Sequence, residues 1–578
     1  MTRLRERVPA GVVVAAVYVV IAFLITIATW RAPTTTYVGE GPDPVQAIWG
    51  IGWVPFATTH GLNPLFSTAM NTPAGMNMLW GNAFAIPMAV VLWPMTVTLG
   101  ATVSYNLVIT LSLALAAFLA YLVIRRWVPG VVAAALGGLL YGFSPYMTAQ
   151  YFGHLGLVLS AITPPLALML LDEIVVRQRR RPLTLGLLAA GLTVLQFFIT
   201  QEVLLTEVIV AAVLTLVLAL SYRDQVRVRA GFVVRTLCIA TLAAVVVLAY
   251  PTWLQFLAPG HLVIHGAVHG TDTYVTDAAN FVVPTVAQLI SPQSAIGISS
   301  HFSGNASEWD GYLGIPLVLI LVFATVRFWQ VPVIRTAGIV AAIVALLSLG
   351  PHLHLAGHQL PVPLPWWIPA HLPVLENILP ARMMIYVFLA ASITFAFLLR
   401  ALWLMRSSFA VNALVALAVL LPLVPTLPAP ATTLQTQAPF TSETAAQMFA
   451  GANVLFEPFP GVDYPQAMTW QRSANYSFTM LGGYVIGPYA PGVQAFQQKI
   501  HDLVARSGTV TLSSAEQLAL ASSLRSFGVS AVVVNPSVVP AGTSSLFTQV
   551  LGSPPVAEDG FLVWRFEFHH AAGADTDR

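Results

Sequence analysis

The sequence predicts an α-helical polytopic membrane protein of about eleven transmembrane helices, followed by a C-terminal soluble α/β domain. Three observations carry that prediction. Of 578 residues, 57% are hydrophobic and 8% are charged, against about 25% charged in a soluble domain. Apolar runs of about twenty residues, enough to span the hydrocarbon of a bilayer, recur as far as residue 428. Arginines gather in alternate loops between those runs. A formal net charge of +2 gives no basis for nucleic-acid binding, and the lone Cys238 excludes an intramolecular disulfide.

In chain order, Arg3, Arg5 and Arg7 precede an apolar run that ends at Trp30. Signal peptides begin in the same way. No small-x-small cleavage site follows here and further spans do, so the segment reads as an uncleaved first helix. The expected spans are residues 10–29, 103–124, 130–147, 155–173, 183–200, 203–221, 233–252, 311–327, 335–350, 383–401 and 409–428. One more apolar run, Ala83 to Leu99, contains Pro87 and Pro94 and reads as a helix lying at the outer interface. If it crossed, every later arginine cluster would face the wrong side. With it excluded, the inner loops collect Arg3, Arg5, Arg7, Arg125, Arg126, Arg177, Arg179, Arg180, Arg181, Arg223, Arg227, Arg229, Arg235, Arg327, Arg335, Arg400 and Arg406, while the outer loops hold Arg31 and Arg382. That asymmetry is a positive-inside signal. It predicts a plasma (inner) membrane protein with a cytoplasmic N-terminus and an extracytoplasmic C-terminal domain.

On this topology the polar chemistry gathers outside. Glu40, Asp43, Glu202, Asp272, Asp277, Glu308, Asp310, Glu376 and all the histidines fall there. The inner loops hold Glu6, Asp172, Glu173 and Asp224, and Glu207 sits within a span. The outer connections 31–102, 253–310 and 351–382 are long and rich in aromatics; ordered loops longer than about 15 residues are usually functional. From Ala429 the texture changes to alternating short apolar runs and helical stretches. Asn453–Phe459, Val529–Asn535 and Leu562–Phe568 read as strands, and Ser513 with Glu516 forms a capping box that opens a helix. Residues 1–429 therefore read as the transmembrane domain and 430–578 as the α/β domain.

The stretch from Tyr37 to Phe66 follows the first span directly and carries Glu40 and Asp43 on a Gly-Pro-rich turn. Behind them Trp49, Trp53 and Phe56 form an aromatic run, expected to lie on the membrane surface with the acids in water above it. Paired carboxylates there suit deprotonation of a hydroxyl beside a lipid-borne substrate; an ordinary acidic loop is the competing reading. Arg382 stands alone among outer acids at the entrance of a span. It reads either as a snorkelling arginine or as a fork for a phosphate. Glu207, as an intramembrane acid, is a functional candidate by position. His261, His265 and His269 have helix-face spacing, but Gly266 and Gly270 argue against a helix. Like His352, His354 and His358, they read as loop histidines, with zinc the minority reading. No phosphate-binding Walker sequence is present, so ATP-driven transport has no support.

Taken together, these features resemble the GT-C superfamily, polytopic glycosyltransferases that use polyprenyl-phosphate sugars outside the membrane. The resemblance rests on the first outer loop with its acid in Gly41-Pro42-Asp43-Pro44 and on the interfacial run 83–99. It extends to Gly61-Leu62-Asn63-Pro64-Leu65-Phe66, Asn71-Thr72-Pro73-Ala74-Gly75, Ser144-Pro145-Tyr146, Gly153-His154-Leu155 and the segment from Glu308 to Gly314, which are similar to those of uncharacterised actinobacterial-type members. It covers residues 1–430 as architecture. The resemblance implies a bacterial cell-envelope transferase with Asp43 as catalytic base and Glu40 as its rival. The candidate substrate-binding residues are Arg382, His60, His154, Glu202 and Glu308. The implied partners are membrane lipid, a polyprenyl-phosphate sugar donor and a glycan, lipid or protein acceptor of the cell envelope. A lone Asp in place of the Asp-Asp or Asp-Glu pair of some branches leaves a divalent-metal requirement open. Two other readings stand beside transfer: a flippase or transporter of lipid-linked sugars, and a non-catalytic envelope assembly protein. A transporter would carry charges through the depth of the bilayer, whereas here they gather at one rim.

Overall fold

The computed structural model describes residues 9–81, 83–258, 266–435, 438–487, 489–505 and 510–566. Arg3, Arg5, Arg7, His261, His265 and Phe568 lie outside them. The chain divides into two compact units. One comprises Met1–Glu40, Thr102–Thr252 and Val263–Thr432; the other comprises Gly41–Ala101, Trp253–Leu262 and Thr433–Arg578.

Among the described residues, seven helices are long and apolar enough to cross a membrane: Ala101–Ile124, Val131–Gln150, Leu155–Arg177, Pro182–Ile199, Gln201–Ser221, Arg223–Phe256 and Pro380–Leu404. Shorter apolar helices occupy Ala10–Ile25, Ala85–Leu99, Ile315–Arg327, Pro332–Ser348 and Phe409–Leu423. Every expected span thus falls on an apolar helix, as does the run at 83–99.

The first unit is a helical bundle around Met384–Leu404, which is buried along most of its length. That helix packs against Pro332–Ser348 and Val131–Gly142. Gly137 permits the second contact: a Cβ there would lie 2.8 Å from the Ser392 carbonyl oxygen and 2.7 Å from Ile124 Cδ1. Between helices in lipid, close packing of small residues replaces a hydrophobic driving force. Two of the acids that the sequence assigns to inner loops are neutralised locally. Asp172 pairs with Arg126 at 2.7 Å and with Arg177 at 2.6 Å, and Glu173 pairs with Arg126 at 2.5 Å.

The second unit contains helices α1 (Pro42–Thr59), α2 (Ala85–Leu99), α3 (Gln466–Ser473), α4 (Val493–Ala505), α5 (Ser514–Ser526) and α6 (Gly542–Leu551). Its strands are β1 (Asn453–Glu457), β2 (Thr479–Met480), β3 (Ala531–Val534), β4 (Val556–Glu558) and β5 (Phe561–Arg565), in the spatial order β4-β5-β3-β1-β2. β1 runs parallel to β2 and β3, and β5 and β4 continue the sheet antiparallel. Successive side chains of a strand point to opposite faces. Leu455, Val532 and Val534 therefore join a core with α4, α5 and α6. Phe456 turns the other way and meets Trp470 of α3, which stacks on Phe440 at 4.9 Å. α5 opens with the expected capping box between Ser513 and Glu516.

First-loop residues complete this unit. Ala69 to Thr72 run along the outer edge of β2: Met480 N–H donates to the Ala69 carbonyl at 3.0 Å and Thr72 N–H to the Met480 carbonyl at 3.1 Å. α1 lies against α3 and is buried over most of its surface. The aromatic run expected on a membrane surface is instead covered by protein, with Trp49 and Trp53 0% and 2% exposed. The Trp49 indole N–H donates to Gln471 Oε1 at 2.9 Å, the Tyr476 hydroxyl donates to the Trp49 carbonyl at 2.8 Å, and Trp49 stacks on Trp53 at 5.5 Å. An indole buried this deeply needs an acceptor for its N–H, and Gln471 supplies one. α2 packs on α1; its Ala85 and Ala89 are buried while Val90, Val91 and Val97 are exposed.

Candidate active site

Asp43 stands in the first turn of α1. Gly41 precedes it at φ +82°, a left-handed conformation that favours glycine, and Pro42 occupies the first helical position, where its missing N–H costs nothing. A carboxylate in that turn is also favoured by the helix dipole. The side chain is half-buried, and its Oδ1 accepts a hydrogen bond from the Tyr484 hydroxyl at 3.1 Å. Tyr484 belongs to the loop after β2, and its carbonyl accepts from Gln46 Nε2 at 2.7 Å. Main chain and side chain of that loop are thus both tied to the start of α1. Glu40 is exposed, and its N–H donates to the Phe152 carbonyl at 2.7 Å. His60 is also exposed and lies at the other end of α1 from Asp43, about 25 Å along the axis at the helical rise. There its Nδ1 bonds the Phe56 carbonyl at 2.8 Å.

In the first unit, four predicted residues converge. Arg382 donates through Nη1 to Glu202 and through Nη2 and Nε to Glu308, the last at 3.1 Å. Glu202 also accepts the Leu379 N–H at 2.8 Å. Gln150, on the short helix that Ser144 caps and Pro145 begins, donates from Nε2 to Asp310 at 3.0 and 2.9 Å. Its amide oxygen lies 2.6 Å from His154 Nδ1, so that ring nitrogen carries the proton. His154 Nδ1 is also 3.6 Å from Glu308. Burial acts to raise the Glu308 carboxyl, but the Arg382 guanidinium, His154 and the Gln150 amide together outweigh it and hold the group below its ordinary value. Burial, and then the charge on Glu308, push Asp310 well above the usual carboxylate range. The Tyr146 hydroxyl is buried among these groups without a hydrogen-bond partner.

Deeper in the bundle, Glu207 Oε1 lies 2.6 Å from Thr163 Oγ1. Glu207 and Tyr386 border a cavity of about 680 Å³ lined mainly by apolar side chains such as Leu168, Leu214 and Ile393, with Asp172, Gln225 and Arg229 also on its wall. Of the loop histidines, His352 Nδ1 lies 3.0 Å from Asp272 Oδ2 and His354 is buried close by. No group of three or more His, Cys, Asp or Glu residues among those described is arranged to hold a metal ion.

Arg382, Glu202, Glu308 and His154 are thus brought together. Asp43 opens the second unit, Glu40 closes a segment of the first, and His60 is remote from Asp43 along α1. Tyr484, Gln46 and Gln150 escape sequence reasoning. Tyr484 reaches Asp43 across 441 positions, a separation at which no local pattern survives. Gln150 carries a weak signal as a polar residue four before His154 on a helix-compatible spacing.

No known family's sequence pattern matches the chain, and no curated protein matches it by sequence. Solved structures do. Two cryo-electron microscopy structures of a mutant of the arabinofuranosyltransferase AftD from mycobacteria align with TM-scores of 0.55 and 0.51, at 15% and 14% identity. They match 96% and 95% of this chain, which spans 41% of that enzyme's length in each case. ArnT from Cupriavidus metallidurans, bound to undecaprenyl phosphate, is more distant at a TM-score of 0.48 and 13% identity, covering 96% of this chain and 97% of its own. The fold of this chain is thus similar to part of the fold of that arabinofuranosyltransferase.

Proposed function

We propose that the chain is an inverting membrane glycosyltransferase that moves a sugar from a polyprenyl-phosphate donor to a cell-envelope acceptor on the outer face of a bacterial plasma membrane. The observation that carries the reading is a half-buried carboxylate, Asp43, in the first turn of the helix after the first apolar segment of a GT-C-like fold. Asp43 takes the proton of the acceptor hydroxyl as its oxygen attacks the anomeric carbon. The bond from that carbon to the phosphate oxygen breaks, and polyprenyl phosphate leaves with the bonding pair. Its charge is met by Arg382 through the N–H bonds not given to Glu202 and Glu308, with His154 beside them. In this reading the two glutamates hold the guanidinium in place, Glu40 is the alternative base, and His60 contacts substrate away from the reacting atoms. The prenyl tail lies in an apolar groove between spans.

Eleven spans with a cytoplasmic N-terminus accompany this reading. Residues 1–429 carry the chemistry, and the extracytoplasmic residues 430–578 select the acceptor. The distinguishing experiment is mass spectrometry of envelope glycans and polyprenyl-phosphate sugars in a deletion strain. A transferase predicts a glycan lacking one sugar and accumulation of its lipid-linked donor. Unchanged glycans and donor pools would remove the proposal.

A further inference from the structure

The core of the α/β sheet contains an acid that the transfer step does not use. Glu457 is the last residue of β1 and is 8% exposed, and its Oε1 has no hydrogen-bond partner. The amide of Gln497, on α4, faces this carboxyl and acts on it as a weak hydrogen-bond donor, but its Nε2 makes no full hydrogen bond to it or to any other acceptor. Native folds rarely leave buried polar atoms unbonded, so two that adjoin call for an explanation. Among the described residues no ion pair includes Glu457, so none of them offers a cation there to a phosphate or a carboxylate.

The topology gives these atoms a setting. β1 and β3 are adjacent and parallel, and the chain leaves their carboxyl ends in opposite directions. From β1 it runs through α3 to β2 on one side; from β3 it runs through α6 to β4 and β5 on the other. α3 packs on the Phe456 face through Trp470, and α6 on the Leu455 face through Leu546 and Phe547. Connections that diverge in this way leave a crevice outside the carboxyl ends of the strands, where open α/β sheets bind ligands. Glu457 ends β1 opposite Val534 of β3, at the carboxyl edge where the two connections diverge. Phe459 and Tyr489, in the loops after β1 and β2, meet edge-on at 5.5 Å. The loop after β2 is also the one that Tyr484 ties to Asp43.

We propose that this crevice binds a neutral saccharide, with hydroxyl groups bonded to Glu457 and Gln497 and a sugar face against the neighbouring aromatic rings. A carboxyl, an amide and aromatic faces together suit a polyol. As an acceptor subsite it rests on the reading of the chain as a glycosyltransferase; as a binding site it does not.

The test uses the full chain in detergent, carrying Asp43→Asn and without donor, on an array of neutral pentose and hexose oligosaccharides with uronic-acid oligosaccharides as a second arm. Binding to neutral members is expected, weakened about tenfold or more by Glu457→Leu and by Gln497→Leu, since each removes a hydrogen-bonding group. Thermal unfolding of each variant is recorded beside it. If Glu457→Leu lowers the melting temperature, the Gln497→Leu result decides. No binding to neutral sugars, binding of acidic ones alone, or affinity unchanged in the deciding variant would overturn the site. A chain with Asp43 intact that binds in this way but transfers nothing would overturn the proposed activity and leave the site standing. Transfer with glycan binding indifferent to both substitutions would do the reverse.

Discussion

Replacing Glu457 with leucine should stabilise the protein at neutral pH and remove a pH dependence from its unfolding. Burial at the end of β1 raises this carboxyl from 4.5 to about 8, with only the Gln497 amide acting to lower it. The folded chain therefore keeps a proton that the unfolded chain releases. The sign follows from linkage: with the folded pKa raised, the associated stability is fully present below the unfolded value of 4.5 and is lost as pH rises through about 8. At about pH 7 the difference is roughly 2.5 pH units, or about 3 kcal/mol. Leucine has nothing to titrate and fills similar volume with apolar atoms, so the penalty disappears. The assay is thermal unfolding of wild type and Glu457→Leu in detergent, side by side, from about pH 5 to about pH 9. The variant's advantage should grow across that range and level off above the folded value. Parallel pH dependences, or a variant less stable at every pH, would refute the assignment of a buried, protonated acid.

Three further outcomes can be checked. Arg382→Met leaves Glu202 and Glu308 without their cation and should destabilise by about 3–5 kcal/mol, read by thermal unfolding and partly reversed by adding Glu202→Gln; an unchanged melting temperature would mean the cluster is well solvated. In Gly52→Ala the added methyl would lie 2.6 Å from the Tyr476 hydroxyl oxygen, and overpacking of that kind costs about 1–3 kcal/mol; wild-type stability would show that α1 yields there. A topology reporter fused after Arg578 should be active only outside the cytoplasm, and cytoplasmic activity would invert the orientation.

Local signals carried much of the fold. Apolar run length located the helices because spanning a bilayer fixes a minimum stretch, and the capping box at Ser513 was readable because both partners lie within one turn. The strands Asn453–Glu457 and Ala531–Val534 lie inside the expected runs, each shorter by the residues that turn out of the sheet. What could not be read was long-range pairing. Trp49 looks like a membrane-facing aromatic until Gln471, 422 positions away, is seen to take its N–H. The attachment of 41–101 to the C-terminal strands has the same character, since Ala69 to Thr72 join β2 through main-chain hydrogen bonds that leave no mark on side-chain type. Of the candidate site, the acids expected in outer loops and Arg382 were visible one at a time. Their convergence, with one guanidinium shared by Glu202 and Glu308 and the Asp310 carboxyl pushed up by burial, depends on the packing of separate helices and loops.

The most direct test of the account is sugar transfer by purified protein from a polyprenyl-phosphate sugar, comparing wild type, Asp43→Asn and Glu40→Gln. Asp43→Asn keeps the shape of the side chain and its place in the first turn of α1, and it can still accept the Tyr484 hydrogen bond, but it cannot take a proton. Donor binding should survive, and turnover should fall by about 10²–10⁴-fold, the usual cost of losing a general base. Glu40→Gln should retain most of its activity. Transfer by Asp43→Asn at the wild-type rate would contradict the account, and an inactive Glu40→Gln beside it would move the base to Glu40.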